Sequence, residues 1–425
     1  MKRLFVLSYL EITYVARKGF FHLLSVNFFT QFIGFGTSLL VAKFLTPVEL
    51  GNIKIIQSYT TLFIVLAGFG LNSAVIKYCS EIRSVEEKES ILNQALIKAI
   101  GSTVIAMLIL IGLAYSTIIT PSSFLANWLL IYALIIPFGV TTEILIAYLL
   151  ALKRIREMAK AQAIIKIQFF GLITFCTWFW GFPGFIFSTI AAYAVGIIPL
   201  LWQIGPKFIK ANKYTLPTGF THTALFSVLA NGVSILGFYG DIFVLDHFAV
   251  NRVEIGFYAL ATIFVQAARQ VTQTAQSIST PYLSERSSER NWFQRQLKLN
   301  QFRASALSLV VATGVYVMGW ILIKLVYGQS YDSTMDYLLI LLLRYILWSS
   351  FAIIGVAIFA LGFVRYNFLN ALVTTIFSLV VSYFLLNKIG ISGVAWAQVL
   401  SAALMLIMTY FTYWRINKSL IKIAS

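Results

Sequence analysis

The chain has 425 residues, 59% hydrophobic and only 11% charged, with a mean hydropathy of +0.85 and a net charge of +17. A soluble domain carries roughly 25% charged residues, so this composition excludes one and points to a polytopic membrane protein. The basic residues lie in short runs, none long enough to form a domain that grips a phosphate backbone, and no nucleic-acid partner is expected.

Residues 1–17 begin Met1-Lys2-Arg3, as a secretory signal would, but Glu11, Tyr14 and Arg17 interrupt the apolar run and no small-residue cleavage pattern follows. The stretch reads as an amphipathic segment on the cytoplasmic membrane surface. Beyond it, a helix crossing about 30 Å of hydrocarbon needs roughly 20 apolar residues, and irregular backbone cannot face lipid. Twelve stretches qualify: 18–44, 51–78, 92–118, 124–151, 160–181, 184–205, 222–247, 254–280, 301–327, 335–362, 367–387 and 390–414. The expected fold is all-α and polytopic.

Lys and Arg concentrate in every second connection. Arg17 and Lys18, Arg83 and Lys88, Lys153, Arg154 and Arg156, Lys207, Lys210 and Lys213, Arg286, Arg290 and Arg295, and Arg415 and Lys418 fall on one side, whereas the other has only Lys43, Lys54, Arg252, Lys324 and Lys388. The positive-inside rule places both termini in the cytoplasm.

A weak internal repeat runs through the chain at an offset of about 204–209 residues. Val48-Glu49-Leu50-Gly51 matches Val253-Glu254-Ile255-Gly256, Tyr78-Cys79-Ser80-Glu81 matches Tyr282-Leu283-Ser284-Glu285, and Gly181-Phe182-Pro183-Gly184 matches Gly390-Ile391-Ser392-Gly393. The order is preserved, which suggests two six-helix halves, 18–205 and 222–414, in parallel repeat around a central cavity. Residues 206–221, with Pro206 and Pro217, would be the cytoplasmic linker, and 415–425 a cytoplasmic tail.

No Walker A sequence is present, and neither a His-Glu-x-x-His motif nor a Cys/His ligand spacing occurs, so no cofactor and no metal are expected. Cys79 and Cys176 imply no disulfide framework, and His22, His222 and His247 are scattered near helix ends. The loops on the outer side are short, whereas a membrane enzyme would need a sizeable segment to present its carboxylates. An enzyme is therefore not expected.

Ionisable groups inside a span are costly and tend to face a cavity or a partner. Within 254–280, Gln266, Arg269, Gln270, Gln273, Gln276 and Ser277 recur at three- and four-residue spacing, a polar face that either lines a wet cavity or packs on other polar helices. Arg269 and Arg344 are permanently charged forks suited to phosphate oxygens; the competing reading is that each neutralises a carboxylate, with Asp241 nearby in sequence. Glu143, Lys98 and Lys166 fall at similar depth and are expected to form an ion pair or cluster, with ion coupling through Glu143 or Asp241 as the alternative. Phe238, Tyr239, Trp320 and Trp348 are candidates for stacking on a sugar ring, though nothing in the sequence selects among them.

Several motifs together carry a resemblance. These are Gly34-Phe35-Gly36, the run Val41-Ala42-Lys43-Phe44-Leu45-Thr46-Pro47-Val48-Glu49-Leu50-Gly51, the run Gly68-Phe69-Gly70-Leu71-Asn72-Ser73-Ala74 followed by a charged loop after Glu81, and the late Gly390-Ile391-Ser392-Gly393-Val394-Ala395-Trp396-Ala397. Over essentially its whole length the chain resembles the polysaccharide transporter family, the O-antigen flippases of Wzx type, within the multidrug/oligosaccharidyl-lipid/polysaccharide (MOP) exporter superfamily. The resemblance implies a flippase in the bacterial cytoplasmic (inner) membrane. It would move an undecaprenyl-pyrophosphate-linked oligosaccharide to the periplasmic leaflet, with membrane lipids and the polysaccharide polymerase machinery as further partners. Arg269 and Arg344 would attract the pyrophosphate, and the Gln266–Gln276 face would bind sugar. Rival readings are a cation-coupled drug exporter of the same superfamily, a flippase of peptidoglycan precursors, which usually has two more helices, and a membrane-embedded polysaccharide polymerase.

Overall fold

A computed structural model describes residues 20–205, 215–249, 251–286 and 289–424, with side chains apart from those of 20–29, 278, 281 and 419–424. The expected amphipathic segment 1–17 and most of the expected linker, with Lys207, Lys210 and Lys213, lie outside the described residues. Among the described residues the ordered elements are helices: α1 Phe20–Phe44, α2 Pro47–Gly68, α3 Leu71–Ser80, α4 Val85–Tyr115, α5 Ser123–Tyr132, α6 Ile135–Ala151, α7 Ile155–Ile204, α8 Phe220–Phe248, α9 Arg252–Glu285, α10 Arg290–Leu322, α11 Thr334–Ala360, α12 Val364–Ile389 and α13 Ile391–Ala424. A π-helical turn (Ile323–Tyr327) and a 3-10 turn (Gln329–Tyr331) join α10 to α11.

Where described, the twelve expected stretches fall largely on helix, but 51–78 is broken between α2 and α3, and 124–151 between α5 and α6. Among the described residues eight helices are long and apolar enough to cross a membrane, nine if α5 and α6, which meet at a bend of 43°, form one broken span. α9 is not among them, because its Gln, Arg and Thr residues lower its hydropathy. Large apolar side chains open outward along the spans, such as Trp202 at 77% exposure, Val310 at 70% and Leu325 at 80%. That much bare apolar surface suits lipid rather than water.

The helix limits follow local chemistry. α2 starts with Pro at its first position, where no amide is needed. Thr46 precedes it and forms a capping box with Glu49: the Thr46 amide and hydroxyl both donate to Glu49 Oε2 at 2.9 Å, and the Glu49 amide donates to Thr46 Oγ1 at 3.3 Å. α2 and α3 are separated by Phe69 and Gly70, both at positive φ. A side chain on Gly70 would be strained by that φ and would overlap the Ala224 carbonyl oxygen. α7 would measure about 75 Å if straight, more than twice the hydrocarbon thickness, but Gly181 (φ 58°, ψ −135°) interrupts it. Its two arms fold back on each other: Gln168 donates to the Ala192 carbonyl at 3.4 Å, and the Phe169 and Tyr193 rings lie 5.1 Å apart. The expected stretches 160–181 and 184–205 are therefore the arms of one hairpin.

The chain packs as two compact units. The first comprises residues through Phe44, Phe63–Gly112 and Leu130–Val228. In it α7 packs against α1 and α6, and α3 against α6. The second comprises Leu45–Leu62, Leu113–Leu129 and the chain from Leu229 onward. Here α11 is central, packed against α9, α10 and α13. Gln301 of α10 pins it: its Oε1 accepts from the Ile353 and Ile354 amides at 3.0 and 3.3 Å, and its Nε2 donates to the Ser349 carbonyl at 2.9 Å. α12 and α13 turn back on each other at Gly390 (φ 68°), with Gln398 donating to Ser378 at 2.9 Å. Within the same unit the two repeat glycines meet. A Cβ on Gly51 would stand 3.0 Å from the Gly256 nitrogen, and one on Gly256 would overlap the Pro47 carbonyl.

Candidate functional site

Four helices of the second unit line a cavity. α9 contributes Thr262, Val265, Gln266 and Arg269, and α11 contributes Leu341, Arg344, Tyr345 and Trp348. Both sets follow the same i, i+3, i+4, i+7 spacing, a single helical face. Phe238, Tyr239 and Asp241 enter from α8, and Lys54 from the first turns of α2. Three cations against one carboxylate leave the lining with a formal charge of +2.

The charged groups are held differently. Asp241 is buried, at 3% exposure. Its Oδ1 accepts from the Ile242 amide at 2.9 Å, and its Oδ2 accepts from the Tyr258 hydroxyl at 2.5 Å. Arg344 Nη1 stands 3.9 Å from the same Oδ2, well beyond the roughly 2.7–2.9 Å of a charge-assisted hydrogen bond. Arg269 has no carboxylate within 4 Å among the described residues; its guanidinium carbon lies 4.6 Å from the Phe238 ring centre and 5.0 Å from that of Trp348. Aromatic faces attract a cation, by about 2 kcal/mol or more once water is excluded. The Lys54 ammonium lies 5.5 Å from the Tyr239 ring, with the residue 8% exposed. Neither guanidinium hydrogen-bonds to another described residue, so the cavity holds two forks with free donors.

The structure brings Arg269, Arg344, Gln266 and Asp241 to one cavity and separates the rest of the glutamine face from it. Gln276 donates to the Ala352 carbonyl of α11 at 3.0 Å, Gln273 is exposed, and Gln270 is half-buried outside the lining. The stripe thus serves both roles its spacing allowed: one end faces the cavity, and further along it packs on a neighbouring helix. Phe238, Tyr239 and Trp348 line the cavity, while Trp320 stacks with Lys324 at 4.7 Å.

The expected cluster of Glu143, Lys98 and Lys166 does not form. Glu143 accepts from Asn72 Nδ2 at 3.3 Å, both lysine side chains are exposed on their helices, and no carboxylate lies within 4 Å of either among the described residues. Equal depth in the membrane does not fix which way a side chain points around the helix.

Lys54 is the residue the sequence reading missed, having been counted as an outer-side charge. It lies seven residues past Pro47, about 10 Å into the helix. The signal was present: Lys54, Gln57, Ser58 and Thr61 form a polar stripe at helical spacing.

The profile of the family described as "Polysaccharide biosynthesis protein" matches residues 16–287, well over half of the chain. The chain belongs to this polysaccharide biosynthesis family. Several solved structures share its fold. A lipid II flippase MurJ in an inward closed conformation is 18% identical with a TM-score of 0.71, covering 92% of this chain and 87% of its own. An inward-facing MATE family multidrug transporter of the MOP superfamily is 13% identical with a TM-score of 0.74, covering 95% and 99%. A MOP superfamily transporter from Pyrococcus furiosus, described as having a binding pocket of reversed polarity, is 11% identical with a TM-score of 0.65, covering 92% and 94%. No curated protein matches the chain. The family member described here therefore has the fold of MOP transporters and is a multi-pass membrane protein. The structures it resembles are described as flippases and transporters rather than enzymes.

Proposed function

We propose that this protein is a flippase for an undecaprenyl-pyrophosphate-linked oligosaccharide, an O-antigen or related repeat unit. It would work in the bacterial cytoplasmic membrane with both termini in the cytoplasm, passing the headgroup from the cytoplasmic to the periplasmic leaflet. The halves 18–205 and 222–414 would alternate access around it. Two equivalent helix starts support the duplication: Glu49 caps against Thr46, and Glu254 accepts from Asn251 Nδ2 at 3.0 Å.

The observation that carries the reading is the cationic lining, with Arg269 flanked by rings and no carboxylate within 4 Å of it among the described residues. Phosphate oxygens are the acceptors a guanidinium fork suits best. The ring faces of Phe238, Tyr239 and Trp348 offer surfaces against which sugars pack. A cationic drug would meet a lining of net positive charge, which weighs against the exporter reading.

The test is the sidedness of lipid-linked oligosaccharide in cells with and without the gene. Units trapped on the cytoplasmic leaflet in its absence support the reading; units that reach the outer leaflet but stay unpolymerised would point to a polymerase instead. Arg269→Gln should lower transport about 10- to 100-fold at normal expression, the loss of a charged hydrogen bond worth about 1.5–3 kcal/mol. Wild-type export by that variant would remove the cavity from the mechanism.

A further inference from the structure

Asp241 sits where an acid in an anion-binding cavity looks counterproductive. Its geometry explains how it can be present without closing the site. Tyr258, fully buried, donates to Oδ2, and Arg344 approaches that same oxygen only to 3.9 Å. Tyr258 thus takes one lone pair of the oxygen that Arg344 faces and competes with a direct Arg344 hydrogen bond. The carboxylate attracts the guanidinium without satisfying its donors. Arg344 remains 23% exposed toward the cavity, with no hydrogen bond to another described residue.

We propose that Asp241 is an internal competitor for Arg344. It orients the guanidinium when the cavity is empty, opposes an incoming anion by like charge, and takes Arg344 back as the anion leaves. Its effect would be to hold affinity below what Lys54, Arg269 and Arg344 would otherwise give, so that cargo is released. This rests on the flippase reading and adds to it a cause of release. Tyr258 is a positioning residue acting through Asp241, since it sets how much of Oδ2 is left for Arg344.

Two variants on one carboxylate then shift affinity in opposite directions. Asp241→Asn removes the competing charge and should tighten binding about tenfold, or about 1.4 kcal/mol, with a slower off-rate. Tyr258→Phe frees Oδ2 to close on Arg344 and should weaken binding by a similar factor. A merely structural role would weaken binding in both. The experiment is titration of the full-length, detergent-solubilised protein with farnesyl diphosphate, followed by dilution to read release. Opposite shifts support the proposal. A wild-type protein that binds while Asp241→Asn binds no tighter overturns the proposal alone, as does Tyr258→Phe binding at wild-type strength should the first variant fail to fold. A wild-type protein that does not bind the diphosphate overturns both the proposal and the flippase reading.

Discussion

Gly256→Ala should destabilise the second unit even though alanine is the better helix former by about 1 kcal/mol. A Cβ at that position would overlap the Pro47 carbonyl and stand 2.8 Å from Pro47 Cα. The obstacle is backbone at the start of a helix held by the Thr46–Glu49 capping box, so no side-chain rotation relieves it. Overpacking costs about 1–3 kcal/mol, and an obstacle this rigid belongs at the upper end. The net loss is then about 2 kcal/mol once the propensity gain is subtracted. Gly51→Ala meets the Gly256 nitrogen at 3.0 Å and should cost less. Gly34→Ala and Gly36→Ala, with nothing within 4 Å, should be neutral or mildly stabilising. Thermal unfolding of the purified variants in one detergent gives the order directly. If Gly256→Ala melts with Gly34→Ala, the two repeat motifs are not in backbone contact and the packing described for α2 and α9 is wrong.

Arg252→Leu should cost about 3 kcal/mol. It strands the Asp246 carboxylate, 1% exposed, whose Oδ1 accepts from Arg252 Nη1 at 2.6 Å, leaving the Tyr59 hydroxyl at 3.2 Å as its side-chain donor among the described residues; chemical denaturation reads the loss. Gln301→Leu fills a similar volume but leaves the Ile353 and Ile354 amides of α11 without their acceptor. A cost of about 2–3 kcal/mol is expected in the same assay, and an unchanged midpoint would show that α11 does not depend on that side chain. Burial pushes the Cys79 thiol, at the end of α3, up to about 12 from an ordinary 9.0. The folded state therefore keeps its proton where the unfolded chain would lose it, so this group's contribution to stability is present below pH 9 and declines as pH rises above that value. Maleimide should label Cys79 at pH 8 only as the protein unfolds, and rapid labelling of the folded protein would contradict the burial.

Much of the fold is legible because the bilayer imposes it. Apolar length places the helices, and glycines at positive φ mark where they turn, as at Gly181 and Gly390. The site is legible only in part. Arg269 and Arg344 stood out because a permanent charge inside a span has few uses. What the sequence does not contain is the azimuth of each helix relative to its neighbours. That is why Gln266 and Gln276, ten residues apart on one stripe, end in different surroundings, one in the cavity and one on the backbone of α11. It is also why Glu143, Lys98 and Lys166 share a depth without sharing a contact. Lys54 shows the opposite error: its helical stripe was readable, but charge counting set it down as an outer-side charge.

The way the cavity holds its charges bears on what it can do. A cation paired with a carboxylate in hydrogen-bond contact has little attraction left for a ligand, and one with no partner at all is costly to bury. Arg269 and Lys54 avoid both limits by resting against aromatic rings, which stabilise positive charge without accepting its hydrogen bonds. Arg344 avoids them by standing about an ångström too far from Asp241. At roughly 6 Å and an effective dielectric near 20, each cation attracts a unit negative charge by about 3 kcal/mol. Two uncompensated cations would therefore draw a doubly charged headgroup by about 12 kcal/mol before desolvation is counted. On the flippase reading this attraction works against the cost of taking a diphosphate headgroup out of water. On the same reading Asp241 lessens the pull, so that a change in helix packing returns the headgroup on the other side. The proposal thus requires both halves of the lining: pairing all three cations would weaken capture, and removing Asp241 would slow release.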